Sequence, residues 1–388
     1  PGGVGQPAGN ATGGYYSCST TLVNGTPRIV VPVVLYTGTC PVTCPGTADP
    51  WLCMLNRTWR ERCPMVYAVT SPTNLSDPLL ADWSEPVTVV DGRTDGVQPH
   101  GPGFDDTTHA WMDPEDVATR TWRFAGQTTV CVTLTCNDNA AGDRPTYLQI
   151  WASKAGDDWT GGFEAVGDLF PAEPNDEPDR GIMNVPDFWK REQTGFELDF
   201  LHFGSNAYWL GKYTRTGPSA GQTRFVPLTP QQQFGPGPSE GHGYFSASLE
   251  QFVWFGWIHG TPPAEPGVPQ WDSVLSAARV ATFDAGLSTA GDFKGMVRFE
   301  PVASLKSLRG KLLYASDDAW SGSTPGTLPL PGAAGNCLDI EMNVTFPDVG
   351  QVPADFGTIG VTVLGAGAVP RAAEATPPGT AGGFDPVE

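Results

Sequence analysis

The chain has 388 residues and a formal net charge of −20, because 42 acidic residues outnumber 22 basic ones. This charge repels phosphate backbones, so we expect no nucleic-acid partner. With 39 % hydrophobic residues and 13 Trp, the sequence is too apolar for a disordered chain. No apolar run reaches the ~18 residues that a membrane-spanning helix needs, so we expect no membrane partner either.

Short segments rich in β-branched and aromatic residues recur along the chain, separated by Gly, Pro, Asn and Asp. Helical periodicity is nearly absent, apart from one short turn of helix predicted at 302–308. The predicted strands are, in chain order, 28–36, 128–135, 146–152, 196–203, 208–213, 244–248, 252–257, 296–299, 337–346 and 357–364. Strands punctuated by turn residues indicate an all-β fold.

Two segments of the chain are similar to each other. One reads MVYAVTSPTNLSDPLLADW at 65–83 and the other reads YLQIWASKAGDDW at 147–159. Each runs from a strand through a Ser and a polar turn to an Asp-Trp pair, ending at Trp83 and at Trp159. A repeat that ends in a buried aromatic residue is typical of a β-propeller blade, although two copies leave a β-sandwich open.

The cysteines and glycosylation sequons indicate an oxidising compartment. Four cysteines lie close together at 40, 44, 53 and 63, but they lack the paired spacing of a zinc site, so we favour disulfides. His202, His242 and His259 show no ligand spacing, and we expect no metal. Five Asn-x-Ser/Thr sequons begin at Asn10, Asn24, Asn56, Asn74 and Asn343. Together these features predict a secreted, glycosylated protein whose disulfide connectivity stays open.

Eight motifs follow one another in a recognisable order. They are YSCS at 16–19, LYTG at 35–38, NLSDPLL and DW within 74–83, FDDTTHAW at 104–111, GIMNVPDF at 181–188, YWLGKY at 208–213, YFSAS and WFGWI within 244–258, and FEPV and LR within 299–309. These motifs match, in the same order, the conserved patterns of one enzyme family, which include W-S-G-S, N-L-S-D-P-x-L-x-x-W, F-R-D-P-T-T-A-W and G-M-W-E-C-P-D-F. The chain therefore resembles glycoside hydrolase family 32, the plant invertase and fructan exohydrolase group.

The resemblance implies a five-bladed β-propeller followed by a β-sandwich. The first match lies near the family's second blade, so we expect blades two to five at about 15–310 and the start of the sandwich at about 330–388. The family's W-M-N-D-P-N-G segment, which carries the Asp nucleophile, has no counterpart here. Because an open propeller exposes blade faces, we expect a fragment rather than a native four-bladed closure.

The resemblance also implies hydrolysis of β-fructofuranosides, such as sucrose or fructans, with retention at the anomeric carbon. The implied partner is a small carbohydrate, and the implied location is the cell wall, the vacuole or the secreted fraction. Two carboxylates and water suffice for this reaction, so we expect no cofactor.

Asp106 matches the family's transition-state-stabilising carboxylate. In a rival register Met112-Asp113-Pro114 takes this place, but the flanking residues agree better at Asp106. Asp105 stands where the motif has Arg, and the resemblance implies that it binds substrate together with Tyr16 and Ser17. Tyr16 matches an aromatic residue that packs on fructose.

Asn184 occupies the family's acid/base position. An amide has no titratable proton near neutral pH, so Asn184 cannot act as a general acid. Nearby acids are substitutes in principle only; they are Glu173, Glu177, Asp179 and Asp187. A catalytically silent sugar-binding or regulatory paralogue is therefore the alternative to a hydrolase, and a fructosyltransferase is a weaker one.

Overall fold

The computed structural model describes residues 18–34, 65–91, 104–129, 146–170, 185–203, 207–215, 224–229, 231–233, 240–246, 248–258, 274–288, 294–313, 315 and 340. Regular structure in these ranges is almost entirely β-strand, which confirms the predicted all-β class. The chain divides into two compact units, Pro1–Leu305 and Lys306–Glu388, and every sheet among the described residues belongs to the first.

In the part of the chain that the structure describes, four antiparallel sheets follow one another and form a four-bladed propeller arrangement. The first blade contains β1 (Ser19–Val23), β2 (Thr26–Val34), β3 (Met65–Thr70) and β4 (Val87–Asp91). The second contains β5 (Phe104–Thr107), β6 (Trp111–Met112), β7 (Trp122–Thr129), β8 (Thr146–Ser153) and β9 (Phe163–Phe170). In both blades the strands pair mainly in chain order, with β6 beside β7.

The other two blades repeat this plan. The third contains β10 (Asp187–Trp189), β11 (Asp199–Phe203), β12 (Ala207–Tyr213), β13 (Phe225–Pro227) and β14 (Gln232–Gln233). The fourth contains β15 (Glu240–Ser246), β16 (Gln251–Ile258), β17 (Val274–Leu275), β18 (Arg279–Ser288) and β19 (Lys294–Pro301). Short strand β14 pairs with β12, and β17 pairs with β16.

The resemblance implied a five-bladed propeller, whereas four blades lie in the described residues; their assignment to blades two to five stays a prediction. The predicted sandwich at 330–388 falls outside them except for Ile340, as do seven of the eight cysteines, so the sandwich and the disulfides stay predictions. A 3-10 helix at Ala303–Leu308 confirms the predicted helical turn, whereas helix α1 (Arg191–Thr194) was not predicted. No helix in the described part of the chain is long and apolar enough to cross a membrane.

Aromatic side chains fill the seams between successive blades. Tyr67 of the first blade packs edge-on against Phe124 of the second, with ring centroids 5.3 Å apart. Trp111 of the second blade contacts Phe188 of the third at 4.8 Å, and Trp189 contacts Phe252 of the fourth at 4.9 Å. Each buried ring of this size stabilises the packing by about 2–3 kcal/mol, so these seams hold the blades together.

The two copies of the sequence repeat have different environments. Trp159 is fully buried in the seam between the first and second blades, as predicted for the end of a repeat. Trp83 is only half-buried, and its indole Nε1 donates to the carbonyl oxygen of Leu80 at 2.7 Å in the loop before β4. The prediction of a buried aromatic residue is therefore right for Trp159 and wrong for Trp83, which stabilises a turn.

The first strands of the blades are connected by hydrogen bonds. Between the first and second blades, Ser19 Oγ in β1 donates to the carbonyl oxygen of Thr107 in β5 at 2.5 Å. Between the third and fourth blades, the Gly243 amide in β15 donates to Asp187 Oδ2 in β10 at 2.6 Å. These bonds place β1 beside β5, and β10 beside β15.

Candidate functional site

Asp106 lies on β5 with its carboxyl group buried, since only 4 % of the residue is exposed. Its Oδ2 accepts a hydrogen bond from the backbone amide of Val185, which lies 79 positions further along the chain, at 2.9 Å. A hydrogen bond to an ionised carboxylate is shorter and stronger than one between neutral groups. The bond therefore joins the motif at 104–111 to the motif at 181–188.

Val185 has an unusual backbone conformation. Its φ is +47°, in the left-handed region that a β-branched residue rarely adopts. The following Pro186 restricts it further, because a residue before proline favours extended geometry. Such a conformation costs about 1–3 kcal/mol and persists only where the surroundings impose it. The buried Asp106 carboxylate is one of the groups that hold this segment in place.

The structure describes only some of the predicted site residues. Asn184, Tyr16 and Ser17 lie outside the described residues, so their predicted roles stay predictions. Asp105 belongs to β5, but its side chain is not described. The motif that contains Tyr16 and Ser17 ends at Ser19, whose hydroxyl reaches the residue after Asp106.

Asp113, the rival to Asp106, takes part in a buried ionic network between the second and third blades. Its Oδ1 accepts from Lys190 Nζ at 3.1 Å, and its Oδ2 accepts from the Tyr213 hydroxyl at 3.0 Å. Arg123 Nε lies 3.2 Å from Asp113 Oδ2 and donates to Asp116 Oδ2 at 2.8 Å. Burial, and then the negative charge of Asp113, raise the pKa of Tyr213 well above its usual range. The network thus engages both oxygens of Asp113, and the preference for Asp106, which comes from the matching motif residues around it, stays a prediction.

A second buried cluster surrounds Asp187, the first residue of β10. Besides the bond from the Gly243 amide, Asp187 Oδ1 lies 3.6 Å from His109 Nδ1 and 4.0 Å from His242 Nδ1. Burial disfavours the charged carboxylate, but the two imidazoles outweigh that effect and hold the pKa of Asp187 well below its usual range. Asp187 is therefore a buried anion that keeps its charge.

The histidines of this cluster come from different blades. His202 on β11 pairs directly with Asp187 across the sheet, and its burial lowers its pKa to about 3, so its ring is neutral near neutral pH. His109, just after β5, stacks on Trp189 with ring centroids 3.5 Å apart. Its Nε2 lies 3.4 Å from Gln193 Oε1 in α1.

Sequence reasoning missed this cluster, because 133 positions separate His109 from His242 and no local spacing links them. One signal was available: His109 and Asp187 both lie inside motifs that carry predicted site residues. His109 moreover stands where the family pattern has Thr. No group of three or more His, Cys, Asp or Glu among the described residues has the arrangement of a metal site.

Comparisons with models of protein families and with curated proteins found no match. Among solved structures, the chain is similar to fructan 1-exohydrolase IIa from Cichorium intybus, with 16 % identity and a TM-score of 0.47 over 76 % of this chain and 48 % of that one. A GH32 beta-fructofuranosidase from Bombyx mori gives 11 % identity and a TM-score of 0.45 over 77 % and 53 %. Sucrose-6-phosphate hydrolase from Lactobacillus gasseri gives 13 % and 0.45 over 76 % and 50 %.

The chain thus spans about half the length of these structures. Because each of these TM-scores is below 0.5, the likenesses carry no residue's role over to this chain.

Proposed function

We propose that this chain forms part of a glycoside hydrolase that acts on β-fructofuranosides with retention. The observation that carries the proposal is the hydrogen bond from the Val185 amide to Asp106 Oδ2. It brings the segment with the predicted stabilising carboxylate next to the segment with the predicted acid/base position. A glycosidase site needs two such segments side by side, because its two carboxyl groups flank one glycosidic bond.

The proposed role of Asp106 follows from its charge and burial. A glycoside is cleaved through an oxocarbenium-like transition state, which carries positive charge on the sugar ring. A buried carboxylate next to that ring stabilises the charge more strongly than an exposed one would, because little water screens it. Asp106 would also accept hydrogen bonds from fructose hydroxyls, which fixes the position of the sugar.

The direct test measures fructose and sucrose binding by calorimetry, and release of fructose from sucrose, for the parent and for Asp106→Asn. We expect the substitution to weaken binding at least tenfold. Asp199→Asn is the matched control, since Asp199 is also a buried carboxylate that accepts backbone amides, from Arg191 and Tyr213. Equal sugar affinity in both variants, or an absence of binding in the parent, would contradict the proposal.

A second candidate function is sugar binding without catalysis, and Asp187 favours it. Asp187 is the acid nearest in sequence to Asn184, and its depressed pKa keeps it ionised, so it has no proton to give to a leaving group. With Asn184 at the acid/base position, the parent would then bind fructose and release none from sucrose.

Asn184→Glu, made in a full-length protein that contains the nucleophile, separates the two candidates, with Asn184→Gln as the control of equal size. Hydrolysis that appears only in the Glu variant supports the silent sugar-binding protein. Hydrolysis in the parent that neither variant changes means that Asn184 does not occupy the acid/base position. Both variants are compared at equal folded fraction, measured by thermal unfolding.

A further inference from the structure

Two of the five Asn-x-Ser/Thr sequons lie in the described part of the chain, at Asn24 and at Asn74. Both asparagines are exposed, and an exposed sequon is an acceptor for an N-linked glycan in a secreted protein. The sequence motif alone treats the two positions as equivalent. The structure separates them, because the side-chain nitrogen of Asn24 is bonded and that of Asn74 has no partner among the described residues.

Asn24 lies in the tight turn between β1 and β2. Val23 pairs with Thr26, so Asn24 and Gly25 form a two-residue turn, with φ of +52° and +78°. Asn-Gly is a preferred dipeptide for such a turn, because both of its positions need a positive φ. Pro27 comes next and favours an extended backbone at Thr26, the last residue of the sequon. This sequon is therefore folded into a hairpin of the first blade.

The Asn24 side chain also bonds to an ion pair in the loops of the second blade. Its Nδ2 donates to Asp157 Oδ2 at 2.9 Å, and its Oδ1 accepts from Arg120 Nη2 at 2.5 Å. Arg120 Nε in turn donates to Asp157 Oδ2, which closes a ring of hydrogen bonds. Because Arg120 and Asp157 contact each other, both bonds of Asn24 lie on the same side of its amide group. The amide thus connects the first blade to the second.

A glycan on Asn24 would break this ring. N-glycosylation replaces one of the two hydrogens on Nδ2 with C1 of a sugar. A substituted amide stays planar and trans, so the sugar stands on the side of the carbonyl oxygen. On Asn24 that side is occupied by Asp157 and Arg120, so a sugar there would displace the bond to Asp157.

Asn74 lies in the loop between β3 and β4, and its side chain has a different environment. Its Oδ1 accepts from the backbone amide of Ser76, the last residue of the same sequon, at 3.0 Å. No described residue bonds to its Nδ2, so a sugar there displaces no hydrogen bond in this part of the chain. Leu75 between them is 54 % exposed, and a bulky, solubilising glycan on Asn74 would stand beside this apolar side chain.

We propose that Asn74 is the N-glycosylation site among the described residues, and that Asn24 stays unmodified as a connection between blades. The donor is a lipid-linked oligosaccharide pyrophosphate of the secretory pathway. Asn74 Nδ2 forms a bond to C1 of the sugar and gives up one proton, while the bond from C1 to the pyrophosphate oxygen breaks. The lipid pyrophosphate leaves with the electron pair. This inference is independent of the proposed fructoside site and rests on the secretory route that the sequons predict.

The first experiment maps the glycans of the full chain, secreted from eukaryotic cells behind an added signal peptide. A peptide N-glycosidase in heavy-oxygen water converts each glycosylated Asn into an Asp that carries the heavy oxygen, and fragment spectra locate it. We expect occupancy at Asn74 to be at least tenfold higher than at Asn24. An empty Asn74, or equal occupancy of the two positions, would overturn the proposal.

Two variants that keep both asparagines verify the position of the glycan. Ser76→Ala removes the sequon of Asn74, and it should reduce the mass of the secreted protein by one glycan. Thr26→Ala removes the sequon of Asn24 in the same way, and it should leave the glycan mass unchanged. Loss of a glycan in Thr26→Ala, or no loss in Ser76→Ala, would contradict the assignment.

A second measurement needs no glycan and tests the connection at Asn24. The variants Asn24→Asp and Asn74→Asp are compared in protein made without glycosylation. Asn24→Asp loses the donor to Asp157 and sets two carboxylates against each other, so we expect its melting temperature to fall by about 2 °C or more. Asn74→Asp keeps the acceptor for Ser76 and should stay within about 1 °C of the parent. Equal melting temperatures in the two variants would overturn the structural role of Asn24, and with it the preference for Asn74.

Discussion

The backbone amide of Val185 lies 2.9 Å from Oδ2 of Asp106, although 79 positions separate the two residues. The carboxylate stabilises a left-handed, β-branched residue that would otherwise avoid this conformation. The same carboxylate is the group that we propose faces the sugar. In the proposed site, one side chain therefore holds the backbone and supplies the negative charge.

Asp106→Asn should weaken this bond without removing it, because the amide oxygen still accepts a hydrogen bond. A bond to a charged group contributes about 1.5–3 kcal/mol and one to a neutral group about 0.5–1.5. We therefore expect the free energy of unfolding to fall by about 1 kcal/mol for Asp106→Asn and by about 2–3 kcal/mol for Asp106→Ala. Urea unfolding measures both variants, and equal values for them would contradict the assignment of the bond.

His202 should make the protein sensitive to mild acid. Burial lowers its pKa to about 3 in the folded state, whereas the unfolded chain binds the proton near pH 6.5. Because the unfolded state binds more protons, stability falls by about 1.4 kcal/mol for each pH unit below 6.5.

The slope of the unfolding free energy against pH is measured by urea unfolding between pH 6.5 and 5, above the range in which the depressed pKa of Asp187 has its own effect. His202→Gln should remove this part of the slope. Parallel profiles for His202→Gln and the parent would show that His202 is protonated in the folded state as well.

Gly126→Ala should destabilise the seam between the first two blades. A Cβ at Gly126 would overlap the ring of Tyr67, whose Cζ would lie only 2.6 Å away. Overpacking of this kind costs about 1–3 kcal/mol, and the melting temperature reports it. Gly310→Ala is the control, since nothing lies within 4 Å of a Cβ at this position, and we expect a change below about 0.5 kcal/mol. An unchanged melting temperature in Gly126→Ala would mean that the seam is looser than described.

Asp113→Ala tests the ionic network and the rival register at the same time. Removing Asp113 leaves Lys190 and Arg123 buried with less opposing charge, so we expect a loss of about 3–5 kcal/mol in the free energy of unfolding. Fructose affinity of the folded fraction should stay within twofold of the parent. Loss of affinity in a folded Asp113 variant, with normal affinity in Asp106→Asn, would favour the rival register.

Strand composition and turn residues were sufficient to predict the all-β class, because each blade is built from neighbouring segments of the chain. The order of the motifs, which resembles that of a known family, was enough to predict that the segments around Asp106 and Val185 belong to one site. The histidine cluster was not, because His109, His202 and His242 meet only through packing between blades, which no local pattern encodes. Trp83 looked equivalent to Trp159 in sequence, yet only Trp159 faces a neighbouring blade.

The hydrogen bonds between first strands have a consequence for the order of folding. Within a blade, each strand pairs with a strand that lies close to it in the chain. The entropy lost on closing the loop between them is therefore small, and each sheet can form early. Asp106, Val185 and Gly243 reach their partners only when complete sheets dock against one another. A partly assembled chain can therefore contain every described sheet and still lack the proposed sugar site, so sugar affinity would measure the last step of assembly.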